Sequence, residues 1–192
     1  MLDVLRPGVL SGLNVCVAGG GDAIVARVTS LGATAVRLAS DPDDEDAVAG
    51  EVGALGAIDV LVVDAATPFA AAGAGMAGLR RAVDGGWNAV RAVVNARWAG
   101  DGEPGGKVVF VAPHAAAGEH AEAVGAALEN GARTLSIEWA RFGVRTTAVL
   151  PRAGAGGAEV TELVAFLASP AGDYFTGCAF APGPVAAVVG PG

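Results

Sequence analysis

Three consecutive glycines followed by a carboxylate separate an apolar, strand-like stretch from a helix-like one. Residues 14–28 read NVCVAGGGDAIVARV, and the junction consists of Gly19, Gly20, Gly21 and Asp22. Glycines at such a junction leave backbone N–H groups open at the helix N-terminus, where they can bind a phosphate. A carboxylate opposes that chemistry, because Asp22 would cap the helix with the same N–H groups and would repel a phosphate about 4 Å away by roughly 4 kcal/mol. These four residues are the candidate cofactor-binding residues, yet we expect no cofactor to bind.

Two histidines and two aspartates are the other titratable side chains whose positions suggest chemistry. His114 and His120 flank one loop, and acidic neighbours give this loop the composition of a metal site. Their spacing does not match a ligand set, so solvated or capping roles are expected and no metal is predicted. Asp64 and Asp84 could form a carboxylate pair, but capping of a strand end and a helix end is the expected role.

The elements that must position these residues follow from the hydrophobic pattern. Runs that are apolar throughout suit strands buried on both faces, and helix-like segments separate them. This alternation predicts a doubly wound, Rossmann-like α/β fold, with a parallel sheet of about six strands and helices on both faces. The predicted strands are Asn14–Ala18, Ala33–Leu38, Ile58–Val63, Lys107–Ala112, Val144–Leu150 and Cys178–Ala181. The acidic run DPDDEDAV predicts a helix start with Asp41 as cap and Pro42 as the first helical residue.

Length and composition restrict the class of protein. The 192 residues, 53% of them hydrophobic, suit one well-buried core, so residues 1–192 are expected to form a single domain. A net charge of -8 opposes nucleic acid or an anionic membrane as a partner. The sequence lacks the layout of a signal peptide or a membrane span, which favours a cytoplasmic protein. Cys16 and Cys178 lie in apolar segments and suggest neither a disulfide framework nor a metal site.

Two long stretches in the second half of the chain have a more specific pattern. They are AALENGARTLSIEWARFGVRTTAVLPRAG at residues 126–154 and VAFLASPAGDYFTGCAF at residues 164–180. With IDVLVVDAA and GGKVVFVAP before them, they resemble the short-chain dehydrogenase/reductase superfamily. The residues that carry this resemblance are Arg133, Leu135, Glu138, Gly143, Val144, Arg145, Pro151, Phe166, Leu167, Ser169, Thr176 and Gly177.

The resemblance implies a catalytic tyrosine, a lysine four residues later, a serine and an asparagine, and this chain departs from all four. The tyrosine and lysine positions fall on Ala121 and Gly125. The serine position falls on Ala112 or Pro113, and the asparagine position falls near Asp84. Alanine and glycine cannot transfer a proton. We therefore expect no catalytic residue and predict a catalytically degenerate member of the family.

The cofactor side of the resembled pattern is altered as well. The family's glycine-rich turn is longer, and its Asn-Asn-Ala-Gly motif corresponds to residues 63–66, VDAA, which put a second carboxylate near the crevice. The position that selects NAD or NADP falls on Ala39 and Ser40. The usual third strand region and the substrate lid after Pro151 are missing from the pattern. The predicted cofactor is none, with NAD or NADP as the alternative.

The best-preserved parts of the pattern are those that build subunit contacts in the resembled family. A helix with two interior glycines, Gly125 and Gly131, is predicted at 120–141, and Ala121, Gly125 and Ala132 are expected to form a smooth face for another helix. The three tryptophans are expected to pack rather than to bind a ligand. The uncharged stretch AFAPGPVAAVVGPG, residues 179–192, is interpreted as an assembly segment.

Three functions remain open at this point. The leading interpretation is a non-catalytic pseudoenzyme that is inactive alone. It would be a structural or regulatory subunit in a homo-oligomer, or in a hetero-oligomer with an active paralogue. The second is a divergent NAD(P)-dependent oxidoreductase whose catalytic groups have moved to residues such as His114 or Asp64. The third is a nucleotide sensor that binds without turnover.

Overall fold

A computed structural model describes residues 4–100 and 105–184 of the chain. These residues form a six-stranded parallel sheet with helices on both faces, which confirms the predicted Rossmann-like α/β architecture. The strands lie in the order β2-β1-β3-β4-β5-β6 across the sheet. Their bounds are β1 Asn14–Ala18, β2 Thr34–Arg37, β3 Val60–Asp64, β4 Lys107–Val111, β5 Arg145–Val149 and β6 Cys178–Phe180.

Helices connect the strands, because parallel neighbours need crossover connections. Within the described residues the α-helices are α1 Asp22–Ser30, α2 Glu45–Ala54, α3 Ala66–Ala71, α4 Met76–Val93, α5 Ala121–Glu138 and α6 Gly157–Ala168. A π-helical turn at Val94–Trp98 follows α4, and 3-10 turns at Ala140–Phe142 and Pro170–Tyr174 follow α5 and α6. Strand C-termini and helix N-termini therefore meet at one edge of the sheet, which is where ligand sites form in such folds.

Two hydrophobic clusters, one on each face of the sheet, hold these elements together. The cluster under α4 and α5 contains Trp98, which is 1% exposed and donates its indole N–H to the carbonyl oxygen of Ile58 at 2.7 Å. Gly106 leaves room for this ring, since an added Cβ would lie 2.2 Å from Trp98 Cε2. The cluster under α1 and α6 contains Val28 and Val164, both fully buried.

The start of α2 differs from the prediction. The helix begins at Glu45, and the Asp44 carboxylate caps it by accepting a hydrogen bond from the N–H three residues later at 3.0 Å. Asp41 is therefore not the cap, and Pro42 is not the first helical residue. Asp41 instead accepts the N–H of Asp43 at 3.2 Å, which makes a turn ahead of the helix.

Strand β2 forms one edge of the sheet and, among the described residues, pairs with β1 alone. The N–H group of Thr34 donates to Leu13, the residue before β1, and that of Leu38 donates to Val17 of β1. In a parallel ladder the backbone groups of Ala35 and Arg37 then face away from β1. Val36 is 37% exposed. Arg37 is the last residue of β2, so its side chain stands at the edge where the strand C-termini and helix N-termini meet.

Candidate functional site

The candidate site lies at the C-terminal end of β1, which has β2 on one side in the sheet and β3 on the other. Parallel α/β sheets bind ligands at such a reversal of strand order. Two cavities open there, a first of about 480 Å³ and a second of about 630 Å³. Both volumes fall in the range of roughly 300–1,000 Å³ that is usual for ligand sites. The residues that line both cavities are Gly20, Arg37, Asp64 and Thr67.

The glycine turn approaches the start of α3 too closely for any side chain. The φ angles of Gly19, Gly20 and Gly21 are 94°, 136° and 66°, in the left-handed region that glycine favours. A Cβ at Gly19 would lie 2.0 Å from the backbone oxygen of Asp64, and one at Gly20 would lie 2.7 Å from Cγ2 of Thr67. The turn thus exposes backbone to the cavities. Its contact with a cofactor stays a prediction.

Asp22 does not cap α1, contrary to the prediction. The N-cap residue is Gly21, and no side chain accepts a hydrogen bond from the first turn. The Asp22 carboxylate forms an ion pair with Arg37 instead. The side chains are 85% and 49% exposed, so this pair contributes only about 0–1 kcal/mol. The N-terminus of α1 therefore faces the second cavity uncapped, with a cation beside it.

Asp64 has its carboxylate oxygens engaged by the turn that follows β3. The residue is 5% exposed. One oxygen accepts the backbone N–H groups of Ala66 at 3.0 Å and Thr67 at 3.3 Å, and the other accepts the Thr67 hydroxyl at 2.6 Å. This is the capping role expected from the sequence. A carboxylate held in this way is poorly placed to accept a proton from a substrate.

The loop between β2 and α2 forms the outer wall of the first cavity. Pro42 packs on Gly85 of α4, where an added Cβ would lie 2.7 Å from Pro42 Cβ. Asn88 donates its side-chain N–H to the carbonyl oxygen of Pro42 at 2.9 Å, and Arg81 forms ion pairs with two aspartates of the loop. The loop therefore supplies a wall to the adjacent cavity. The cavity stays open although the carboxylate of Asp64 lies on its wall.

Ala39 and Ser40, the positions expected to select between cofactors, are tied to α2. Their backbone N–H groups each donate to the Glu51 carboxylate at 2.9 Å, and the Ser40 hydroxyl donates to it as well. Burial raises the pKa of Glu51, but these hydrogen bonds outweigh burial and hold the pKa below its usual value. Both residues line the first cavity without offering it a charge.

His114 is the histidine that lines the second cavity. Its Nε2 accepts the backbone N–H of Gly154 at 3.1 Å, and its Nδ1 lies 3.4 Å from the backbone nitrogen of Ala116. An N–H donor needs a ring nitrogen with a free lone pair, so Nε2 acts as the acceptor in this contact. The bond joins the loop after β4 to the loop after β5. His120 precedes α5, does not cap it with its side chain and does not line the cavity.

The positions that the family resemblance assigns to tyrosine and lysine carry no proton-transfer group. Ala121 is buried, and Gly125 has room for a side chain. Lys107 lies elsewhere, where its ammonium donates to the carbonyl oxygen of Ser169 at 2.6 Å at the end of α6. Tyr174 is 92% exposed. Neither residue lines the two cavities.

Arg37 and Arg81 are the site residues that the sequence did not reveal. Arg37 lines both cavities and Arg81 lines the first. A signal for Arg37 existed, because it is the charged residue next to the end of the predicted strand Ala33–Leu38, and strand ends collect at the binding edge. Arg81 had no such signal, since its position depends on how α4 packs against the loop before α2.

Residues 4–100 and 105–184 contain neither a cluster of metal ligands nor a helix that could span a membrane. No group of three or more histidine, cysteine, aspartate and glutamate side chains there is arranged to hold a metal ion. No helix there is both long enough and apolar enough to cross a membrane.

Comparison with known proteins decides the fold family. No protein-family model and no curated protein sequence matches the chain. The citronellol catabolism dehydrogenase AtuB of Pseudomonas aeruginosa PAO1 superposes with a TM-score of 0.74 at 24% identity, over 93% of this chain and 96% of that one. BdcA from E. coli has a TM-score of 0.69 at 26% identity, over 91% and 100%. A short-chain type dehydrogenase/reductase from Mycobacterium marinum has a TM-score of 0.71 at 20% identity, over 90% and 94%.

The chain has the short-chain dehydrogenase/reductase fold. This confirms the resemblance read from residues 126–154 and 164–180. A fold does not fix an activity, so what a short-chain dehydrogenase/reductase fold does here must be argued from the site.

The prediction that the chain takes no cofactor is wrong. A structure of BdcA in complex with NADPH superposes on the chain with a TM-score of 0.69 at 23% identity, over 91% of this chain and 94% of that one. The geometry explains the error. The prediction required Asp22 to occupy the N–H groups of α1 and to repel a phosphate, whereas its carboxylate pairs with Arg37 and leaves those groups uncapped.

Proposed function

We propose that this protein binds NAD(P)(H) across the two cavities and is a divergent NAD(P)-dependent oxidoreductase. The observation that carries the proposal is the meeting of both cavities at the glycine turn, where the uncapped N-terminus of α1 and Arg37 lie side by side. An open helix N-terminus suits a pyrophosphate. The first cavity would then take the adenosine half and the second the nicotinamide half. The NADPH complex of BdcA supports a nucleotide of this class.

Arg37 is the residue that fits a phosphate best. A guanidinium matches a phosphate in a bidentate geometry, and such charge-assisted bonds are stronger than a solvated ion pair. A ligand phosphate would therefore take Arg37 from Asp22, whose carboxylate is already 85% exposed and would stay in solvent. Asp22 then lowers the affinity for the nucleotide rather than preventing binding.

The chain itself must supply a proton for any carbonyl reduction. When bound, a reduced nicotinamide supplies a hydride. His114 is the side chain on the second cavity that fits proton transfer, because the oxygens of Asp64 are held by the turn after β3. His114 would release the Gly154 N–H, take up a proton and donate it to the substrate oxygen. Val111 and Val160 also line this cavity, which favours a small apolar carbonyl compound.

Binding and turnover are tested separately. The purified chain is titrated with NADPH and NADH by fluorescence and calorimetry, and it is then screened for turnover of small carbonyl compounds. We expect saturable binding, and a turnover that falls about 100-fold or more in His114→Ala while nucleotide affinity is kept. The matched control is His120→Ala, which removes the same side chain outside the cavity. No saturable binding of either nucleotide refutes the proposal, and full turnover in His114→Ala refutes the role of His114.

A second candidate function is nucleotide binding without turnover. The observation that favours it is the 3.1 Å bond from the Gly154 N–H to His114, which engages the only imidazole on the second cavity, while Ala121 and Gly125 provide no replacement. It predicts tight binding, no turnover with any carbonyl compound, and a change in conformation or oligomeric state on binding. Small-angle scattering with and without NADPH measures that change.

We further infer that the outer face of α4 and α5 forms a subunit contact. Trp87 is 44% exposed and stacks on Trp139 with ring centroids 6.2 Å apart, and Ile137 is 77% exposed. A Cβ at Gly131 would meet nothing within 4 Å, so this glycine leaves space outside the chain rather than inside it. Light scattering tests the inference. Trp87→Glu should dissociate a homo-oligomer, whereas a monomeric wild type that associates only with an active paralogue would support the heteromeric form.

A further inference from the structure

A third cavity, of about 970 Å³, lies between α1 and α6. Small or apolar side chains form most of its wall: Ala23 and Ala26 from α1, and Ala158, Leu163 and Phe166 from α6. We call it the α1–α6 groove. Covering such a surface with an apolar segment is favourable, because water is released from both.

The charged groups on the groove do not call for a charged occupant. Arg27 donates from Nε to Glu162 Oε2 at 2.7 Å and from Nη2 to Glu162 Oε1 at 3.0 Å. Glu162 Oε1 also accepts the backbone N–H groups of Val4 and Leu5 at 3.3 and 3.2 Å. The hydrogen bond from Arg27 is the main cause that holds the pKa of Glu162 below its usual value. Both charges are thus compensated within the chain.

The chain itself passes the mouth of this groove. Glu159 lines the groove and also accepts the backbone N–H of Gly183 at 2.9 Å. Pro184 lies against Gly154, with its Cγ 3.3 Å from the place of an added Cβ. The residues that follow, 185–192, read VAAVVGPG and carry no charged side chain. These eight residues lie outside the described part of the chain, as does most of the expected assembly segment.

We propose that residues 185–192 dock in the α1–α6 groove of their own chain. Eight extended residues reach about 26 Å, whereas α6 rises only about 10 Å from Glu159 to Phe166. The valines of the segment match the apolar part of the walls, formed by Leu163, Phe166 and the alanines of both helices. A tether that starts at Pro184 gives the segment a high effective concentration at the groove, which favours its own chain over a second copy. This contact is independent of the nucleotide site.

A disulfide trap tests the contact. Val188→Cys is combined with Ala26→Cys in a chain carrying Cys16→Ala and Cys178→Ser, and the pair is oxidised at micromolar concentration. Disulfides require Cβ atoms within about 4.5 Å, so a docked segment should link within one chain at least about tenfold faster than a matched pair with Thr29→Cys. Thr29 is also exposed on α1 but does not line the groove. Mass spectrometry distinguishes links within a chain from links between chains.

A second test uses dye fluorescence on a chain that keeps Cys16 and Cys178 and has no added cysteine. Removal of residues 185–192 should uncover the groove and raise the fluorescence of a dye for apolar surface by at least about twofold. A synthetic VAAVVGPG peptide should reverse the rise, and the same peptide with aspartate in place of Val188 should not. Disulfide-linked dimers would assign the groove to a second copy and overturn the proposal. Linking no faster than the Thr29 control, with unchanged dye fluorescence, would overturn it as well.

Discussion

Replacement of Arg37 by glutamine is the sharpest test of whether the site binds a phosphate through this side chain. Arg37 stands at the junction of the two cavities and holds the carboxylate of Asp22. Glutamine keeps part of the side-chain length and some hydrogen bonding but removes the charge. We expect Arg37→Gln to weaken nucleotide binding and Asp22→Asn to strengthen it.

The size of the change in Kd depends on how far the side chain of Arg37 is exposed to solvent. A full charge about 4 Å from a phosphate is worth roughly 4 kcal/mol at an effective dielectric constant near 20. The side chain of Arg37 is 49% exposed, so solvent screens a large part of that energy. The wild type must break the pair with Asp22 to bind the phosphate and the variant need not, which offsets about 0.2–1 kcal/mol of the loss. About 1–2 kcal/mol remains, which corresponds to a rise in Kd of roughly 5- to 30-fold. Asp22→Asn should lower Kd by about 2- to 5-fold, since it removes only the competing carboxylate.

Calorimetric titration of NADPH and NADH against each variant gives the comparison. A loss confined to NADPH assigns Arg37 to the ribose phosphate, and an equal loss for both nucleotides assigns it to the pyrophosphate. Arg80→Gln is the matched control, because Arg80 is an exposed arginine of α4 that lines neither cavity. If the wild type binds and Arg37→Gln binds both nucleotides as tightly, the electrostatic reasoning is refuted.

Three further predictions concern the scaffold. Gly106→Ala should lower the free energy of unfolding by about 1–3 kcal/mol, because its Cβ would lie 2.2 Å from the Trp98 ring. A urea titration measures this change. An unchanged midpoint would mean that the ring moves freely. Glu162→Gln should cost about 1–2 kcal/mol at neutral pH. The folded pKa of Glu162 is depressed, so its contribution to the free energy of unfolding is complete above about pH 4.3, the pKa in the unfolded chain. That contribution is lost as the pH falls through the folded pKa. The free energies of unfolding of the wild type and Glu162→Gln should therefore converge in acid. Burial raises the pKa of the Cys16 thiol to about 12, so it should resist a thiol reagent at pH 8 until urea unfolds the chain.

The architecture could be read from the sequence because its signals are local. Valine-rich runs without alternation predicted buried parallel strands, and β3, VLVVD, is buried along its whole length. The glycine turn located the binding edge, because glycine is the residue for strand-to-helix turns with left-handed backbone. Residues 126–154 and 164–180 then identified the fold family, which the solved structures confirm.

The site could not be read in the same way, because its decisive contacts join residues far apart in sequence. Local reasoning assigned Asp22 to the nearest partner, the N–H groups of its own helix. The carboxylate pairs with Arg37 instead, fifteen residues later. The wall of the first cavity likewise needs Arg81 and Asn88 of α4 to reach the loop at Pro42. Such contacts depend on how far side chains reach from one element to another, so they produce no hydrophobic period or motif in the sequence.

The open edge of the sheet at β2 affects both nucleotide binding and the tendency of the protein to aggregate. The outward backbone groups of Ala35 and Arg37 form a short template for strand addition from another molecule, next to the half-exposed Val36. The guanidinium of Arg37 opposes such growth, since like charges would stack along a fibril. A substitution that neutralises it to weaken nucleotide binding should therefore also make concentrated solutions more prone to form fibres.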